Sequence, residues 1–140
     1  MKNFDTLFLD RDGVINIKIE NQYISQFSDF IFIPGVLFAI RDLSVLFKRI
    51  IIVTNQQGIG KGLMSEEDLN LLHKKMIFNI QDAGGRIDKL IDYSGNFDVG
   101  VYHNKPFGWE KDTGKLSDSN QRIQDSDYYQ SFAYSLRSQV

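Results

Sequence analysis

The chain has no cysteine, which excludes disulfide bonds, thiolate zinc sites and cysteine nucleophilic catalysis. Its two histidines, His73 and His103, stand isolated and form no metal-ligand pattern. Neither sign of charge dominates, with 16 basic residues against 18 acidic ones. No basic block marks a surface for nucleic acid or an anionic membrane, so neither partner is expected. No run reaches the roughly 18 apolar residues that would span a bilayer. The opening MKNFDTLFLD is charged too early, and apolar for too few residues, to read as a secretory leader. A soluble, cytoplasmic protein is expected. Its 140 residues suit a single domain with a sizeable core.

The chain is organised around FLDRDGVIN, where a short apolar run over residues 6–9 delivers Asp10 and Asp12 just before Gly13. That run suits a buried strand better than a helix too brief to nucleate. Residues 16–32 mix polar residues with Tyr23, Phe27, Phe30 and Phe32 and read as a long loop with extended pieces. Pro34 and Gly35 punctuate it, and Leu37, Ile40, Leu43 and Phe47 then recur near the helical period. Residues 49–53, RIIIV, form a β-branched run that needs cover on both faces, as a central parallel strand has. Strand, helix, strand opens an α/β fold.

TNQQGIGKG follows at the carboxyl end of that strand, where open α/β sheets bind ligands. Ser65 and Asp68 form a capping box for a second helix. That helix carries Leu69, Leu72, Met76, Ile80 and Ala83 on one face and ends at Gly84 and Gly85. His73, beside Lys74 and Lys75, is expected at the surface. Residues 87–93 form a third strand. Beyond Ser94 apolar residues thin out. Phe97, Val99 and Val101 alternate with Asp98 and Gly100, the pattern of a short strand, while residues 112–127 lack periodicity and are expected to be loop.

Two carboxylates one residue apart at a strand end can hold a hard cation and present one oxygen as a nucleophile. A carboxylate so placed can attack phosphorus in line, and magnesium beside it reduces the charge repulsion. The second carboxylate can then protonate the leaving oxygen. Gly13 allows a sharp turn that brings backbone amides towards an anion. The hydroxyl of Thr54 stands at the next strand's end to hold the transferring group, and Lys61 or Lys105 can supply positive charge.

At these residues the chain resembles the haloacid dehalogenase (HAD) superfamily. LDRDGVIN with IIIVTNQQGIGKG is similar to the subgroup of heptose bisphosphate and histidinol phosphate phosphatases, over about the first 93 residues. The resemblance implies a three-layer, Rossmann-like α/β fold around a parallel sheet, without a large cap domain and incomplete at the C-terminus. One domain over residues 1–140 is expected, with residues 94–140 as its weakly patterned tail. Asp10 is implied as nucleophile and Asp12 as general acid and base. Magnesium is implied at the Asp10 carboxylate and the Asp12 main-chain carbonyl. Thr54 and Asn55 match the phosphate-binding motif, and Lys105 in HNKPFG is the candidate for the family's lysine. Arg11, Gly13 and Lys61 join them as substrate-binding candidates. A loop such as residues 17–32 is expected to close over a small phosphorylated substrate.

The departures from the pattern are as specific. No acid after Lys105 follows an apolar run as the fourth motif requires, and the cysteines and histidines of the subgroup's zinc loop are missing, so no zinc is expected. The reading is a magnesium-dependent phosphatase acting through an aspartyl-phosphate on a sugar phosphate. The alternative is a catalytically impaired or truncated HAD-like protein that binds a phosphate-bearing ligand or a partner protein.

Overall fold

The computed structural model describes residues 4–56, 58–93, 99–105 and 108–111, with residue 4 and the last two segments as backbone. Strand β1 (Phe4–Leu9) is followed by helix α1 (Val36–Leu46), strand β2 (Phe47–Asn55) and helix α2 (Glu66–Asp82). Strands β3 (Lys89–Tyr93), β4 (Val99–Lys105) and β5 (Gly108–Lys111) complete the order. Helix α1 starts after Gly35, whose φ of 83° lies in the left-handed region that glycine enters without a Cβ penalty. Phe47, expected on the first helix, is instead extended. Its N–H still closes the last helical turn onto the Leu43 carbonyl while its φ and ψ of −107° and 139° open β2.

Helix α2 has the expected boundaries for the expected reasons. The Ser65 side chain accepts from the Asp68 N–H at 3.0 Å, satisfying a donor that the helix leaves unpaired at its start. At the other end Gly84 has a φ of 91°, and the N–H groups of Gly84 and Gly85 reach the carbonyls of Gln81 and Ile80. That pair of bonds is a Schellman closure. A Cβ on Gly85 would stand 2.9 Å from Ile80 Cγ2 and 3.1 Å from Ile40 Cγ2, so the small residue lets the chain pass close beneath both helices.

The five described strands lie in the order β1-β2-β3-β4-β5. The first three are parallel, with Leu9 opposite Ile52 and Thr54 opposite Asp92. Strands β4 and β5 run antiparallel to their neighbours. The connection from Tyr93 to Val99 is too short for the crossover of a dozen or so residues that parallel pairing needs. The short strand expected around Val99 and Val101 therefore returns as a hairpin partner, and Phe97 lies outside the described residues.

Ile50, Ile52 and Leu90 point to one face of the sheet and meet Ile40 of α1 and Leu72, Met76, Ile77 and Ile80 of α2. Val53 and Ile91 point to the other, packed with Phe8, Ile51 and Tyr93. Two-sided burial explains the uninterrupted apolar run of β2. Both described helices share the first face, so a third layer is not among the described elements. The loop expected over residues 112–127 also lies outside them. Arg86 closes the corner between α1 and β2 by donating to the carbonyls of Ser44 and Phe47 at 2.9 and 2.7 Å, while its Nε pairs with Asp88. Asp88 in turn accepts from the Ile50 N–H at 2.7 Å.

Candidate active site

Asp10 is the first residue past β1, and Thr54 and Asn55 end β2. Parallel pairing brings these carboxyl ends to one edge of the sheet. Asp10, Asp12, Asn55, Gln56 and Lys61 line a cleft of about 620 Å3 there. After Asp12 the chain turns through Gly13, whose φ of 84° demands glycine's freedom. Asn16 closes the turn, donating its N–H to the Arg11 carbonyl at 3.2 Å and accepting from the Gly13 N–H at 2.8 Å. Gly13 is exposed beside the cleft.

The two aspartates have different surroundings. Asp10 Oδ1 accepts from the Arg11 N–H at 2.7 Å. Burial raises its pKa, aided by the neighbouring charge of Asp12 and opposed by that backbone hydrogen bond. Asp12 is ringed by donors. Its Oδ1 accepts from Arg11 Nη2 at 3.0 Å and Asn16 Nδ2 at 2.9 Å, and its Oδ2 accepts from Gln56 Nε2 at 3.0 Å. Burial alone would raise the Asp12 pKa, but the Arg11 charge and these hydrogen bonds outweigh it and hold the carboxyl below its usual range.

The donor set decides what a cation would find. Asp10 has one carboxylate oxygen engaged by the Arg11 N–H, which leaves the other for a hard ion, whereas both oxygens of the Asp12 carboxylate accept hydrogen bonds. Among the described residues no group of three His, Cys, Asp or Glu is placed to hold a metal. Two protein oxygens fit magnesium, which commonly keeps several waters and takes further ligands from a substrate phosphate.

Residues 17–31 form a closed excursion over this cleft. Its base is pinched by hydrogen bonds from the Ile17 N–H to the Ile31 carbonyl and from the Ile33 N–H to the Ile15 carbonyl. Phe30 anchors it, stacked on Phe27 and edge-on to Phe32, with the Arg11 guanidinium 5.9 Å from its ring centre. From the loop, Lys18 and Tyr23 reach the cleft wall. Lys61 Nζ donates to the Tyr23 hydroxyl at 2.9 Å, joining the loop to the segment after β2.

Two expected substrate contacts are placed differently. Arg11 is 1% exposed and does not line the cleft, because Asp12 and His73 hold its guanidinium inside the protein. Thr54 is also buried, its hydroxyl accepting from Gln56 Nε2 at 2.8 Å. Lys105 ends β4, and its side chain lies outside the described residues.

His73 overturns a sequence expectation. It is 0% exposed, and its Nε2 lies 3.0 Å from Arg11 Nη1. Burial lowers its pKa, with the Arg11 charge adding to that and Asp92 opposing it. The lysines beside it suggest the surface, yet Leu69, Leu72, His73 and Met76 share the spacing of one helical face. Gln56 and Asp92 were also missed as site residues. The signal for Asp92 was an acid inside the otherwise apolar end of β3.

Comparison with known proteins bears on this arrangement. No family model matches the chain. A D-glycero-alpha-D-manno-heptose-1,7-bisphosphate 7-phosphatase of Mycobacterium tuberculosis is 40% identical over 82 residues, covering 59% of this chain and 43% of that protein. The D-glycero-beta-D-manno-heptose-1,7-bisphosphate 7-phosphatase of Rhodopseudomonas palustris is 40% identical over 83 residues, 59% of this chain and 45% of its own. A D,D-heptose 1,7-bisphosphate phosphatase from B. bronchiseptica, solved with magnesium and phosphate, superposes with a TM-score of 0.61 at 32% identity. That superposition covers 70% of this chain and 53% of the other. Over that span the chain is similar to HAD-like heptose bisphosphate phosphatases. It spans less than half the length of the two curated relatives. The HAD-like fold carries the resemblance of LDRDGVIN and TNQ into three dimensions, since both segments end at one sheet edge. Among the described residues no helix is long and apolar enough to cross a membrane.

Proposed function

We propose that the chain is a magnesium-dependent phosphatase acting on a small sugar phosphate through an aspartyl-phosphate. The observation that carries this reading is the pairing of Asp10, with an available carboxylate oxygen, and Asp12, held by Arg11, Asn16 and Gln56, at the wall of one cleft. Asp10 attacks phosphorus, the bond to the leaving oxygen breaks, and that oxygen takes a proton from Asp12. Asp12 acquires this proton as the negative charge of the bound phosphate opposes its ionised form. In the second half Asp12, again ionised, takes a proton from water as the water oxygen bonds phosphorus and the bond from phosphorus to the Asp10 oxygen breaks, which releases phosphate and restores Asp10. Asn55 and the Gly13 turn receive phosphate oxygens, and Lys61 and Lys18 contribute positive charge at the cleft. The Asp10 carboxylate and the Asp12 main-chain carbonyl would hold magnesium, which would supply charge neutralisation for the transferring group.

The named activity of the relatives makes heptose bisphosphates the first substrates to try, with both anomers represented among those proteins. The test is hydrolysis of p-nitrophenyl phosphate and a sugar phosphate panel with magnesium, comparing the chain with Asp10→Asn. Turnover is expected in the parent and a loss of roughly a thousandfold or more in the variant. Equal inactivity of two folded proteins sinks the phosphatase reading. Retained phosphate binding would then favour a ligand-binding role, the reading motivated by the two-oxygen metal site.

A further inference from the structure

We propose that His73 is a positioning residue for Asp12, acting through Arg11. A guanidinium only donates, so the Arg11 Nη1 contact at 3.0 Å requires His73 Nε2 to carry its lone pair. The remaining ring proton is then on Nδ1. Asp92 Oδ2 stands 3.7 Å from that nitrogen, on the side of the ring where a carboxylate favours the proton. The other arm of the same guanidinium donates from Nε and Nη2 to Asp12 Oδ1 at 3.3 and 3.0 Å.

Arg11, His73 and Asp92 are each at most 1% exposed, so water does not compete for these contacts and the guanidinium has one low-energy orientation. Its plane fixes the Oδ1 edge of Asp12, while Gln56 holds Oδ2 from the cleft side. The carboxylate at the cleft is thereby aimed by a histidine on α2 that never reaches the substrate. The positions also explain why a helix surface rich in lysine admits a histidine to its buried face. A leucine there would pack but leave Arg11 Nη1 without this acceptor.

The kinetic part of this inference rests on the phosphatase reading, and the structural part does not. Nitrogen-15 imidazole shifts of the parent chain are expected to report a neutral His73 protonated on Nδ1. Protonation on Nε2 overturns the proposal without any variant. Guanidinium spectra are expected to show restrained rotation at Arg11 in the parent and in His73→Gln, whose amide oxygen can accept the same bond, and faster rotation in His73→Leu, where only the Asp12 contacts remain. With p-nitrophenyl phosphate, His73→Leu is expected to lose kcat roughly tenfold to a hundredfold at a KM within about twofold, as misaimed catalytic groups do. His73→Gln is expected to recover most of that loss. A kcat unchanged in His73→Leu, or lost equally in two variants of equal melting temperature, overturns the positioning role. An inactive parent sinks the phosphatase reading, and the guanidinium spectra still decide whether His73 holds Arg11.

Discussion

Arg11 stands between two aspartates in sequence, yet its side chain serves only one of them, and a buried histidine takes its other face. Neutral burial of His73 carries a consequence for stability. Its folded-state pKa is lowered below 6.5, so as pH falls through that value the unfolded chain takes up a proton that the folded chain refuses. Stability therefore rises with pH across this window and is fully present above about 6.5. Urea denaturation between pH 5.5 and 7.5 is expected to give a falling midpoint towards acid, with a flatter slope in His73→Gln. An equal slope in both proteins would assign the dependence to another group. Asp12 acts in the same sense at lower pH, since its depressed pKa favours the folded state until the carboxyl is protonated.

At the scale of elements, α2 both builds the core and positions the site, because Leu72, Met76 and Ile80 pack on the sheet from the stripe that carries His73. Its start depends on one local contact. Ser65→Ala removes the acceptor for the Asp68 N–H and is expected to destabilise the protein by about 1 kcal/mol, read from the denaturation midpoint at unchanged m-value. A cost within error would mean that water replaces the serine oxygen at this exposed end. The loop over residues 17–31 is held by a pinched base and an aromatic cluster at Phe27, Phe30 and Phe32. The sequence pattern announced a long loop there, but which of its aromatics turn inward depends on contacts made by the folded chain. Phe30 finds a place beside Arg11 only because the turn at Gly13 folds the guanidinium back into the protein.

For the molecule as a whole, the core on the helical face is where both helices and three strands meet. Ile80 is fully buried there among residues of α1, β2 and β3. Ile80→Ala is expected to cost about 2–5 kcal/mol, the loss of apolar burial plus the residual cavity, measured by chemical denaturation. A value below about 1 kcal/mol would show that α1 closes onto the space.

Local spacing was enough to find strands at residues 6–9 and 49–53, both described helices, the Ser65 cap and the glycine stop, because each depends on neighbours a few residues apart. It also brought Asp10, Asp12 and Asn55 to one expected site, since parallel strands share the edge where their carboxyl ends lie. What folding alone decided is the direction and company of polar side chains. Arg11 and His73 are 62 residues apart, and Gln56 reaches back across 44 residues to Asp12. No local period encodes such contacts. They exist because α2 covers the face of the sheet onto which Arg11 turns, where a buried guanidinium must find acceptors and a buried histidine must stay neutral.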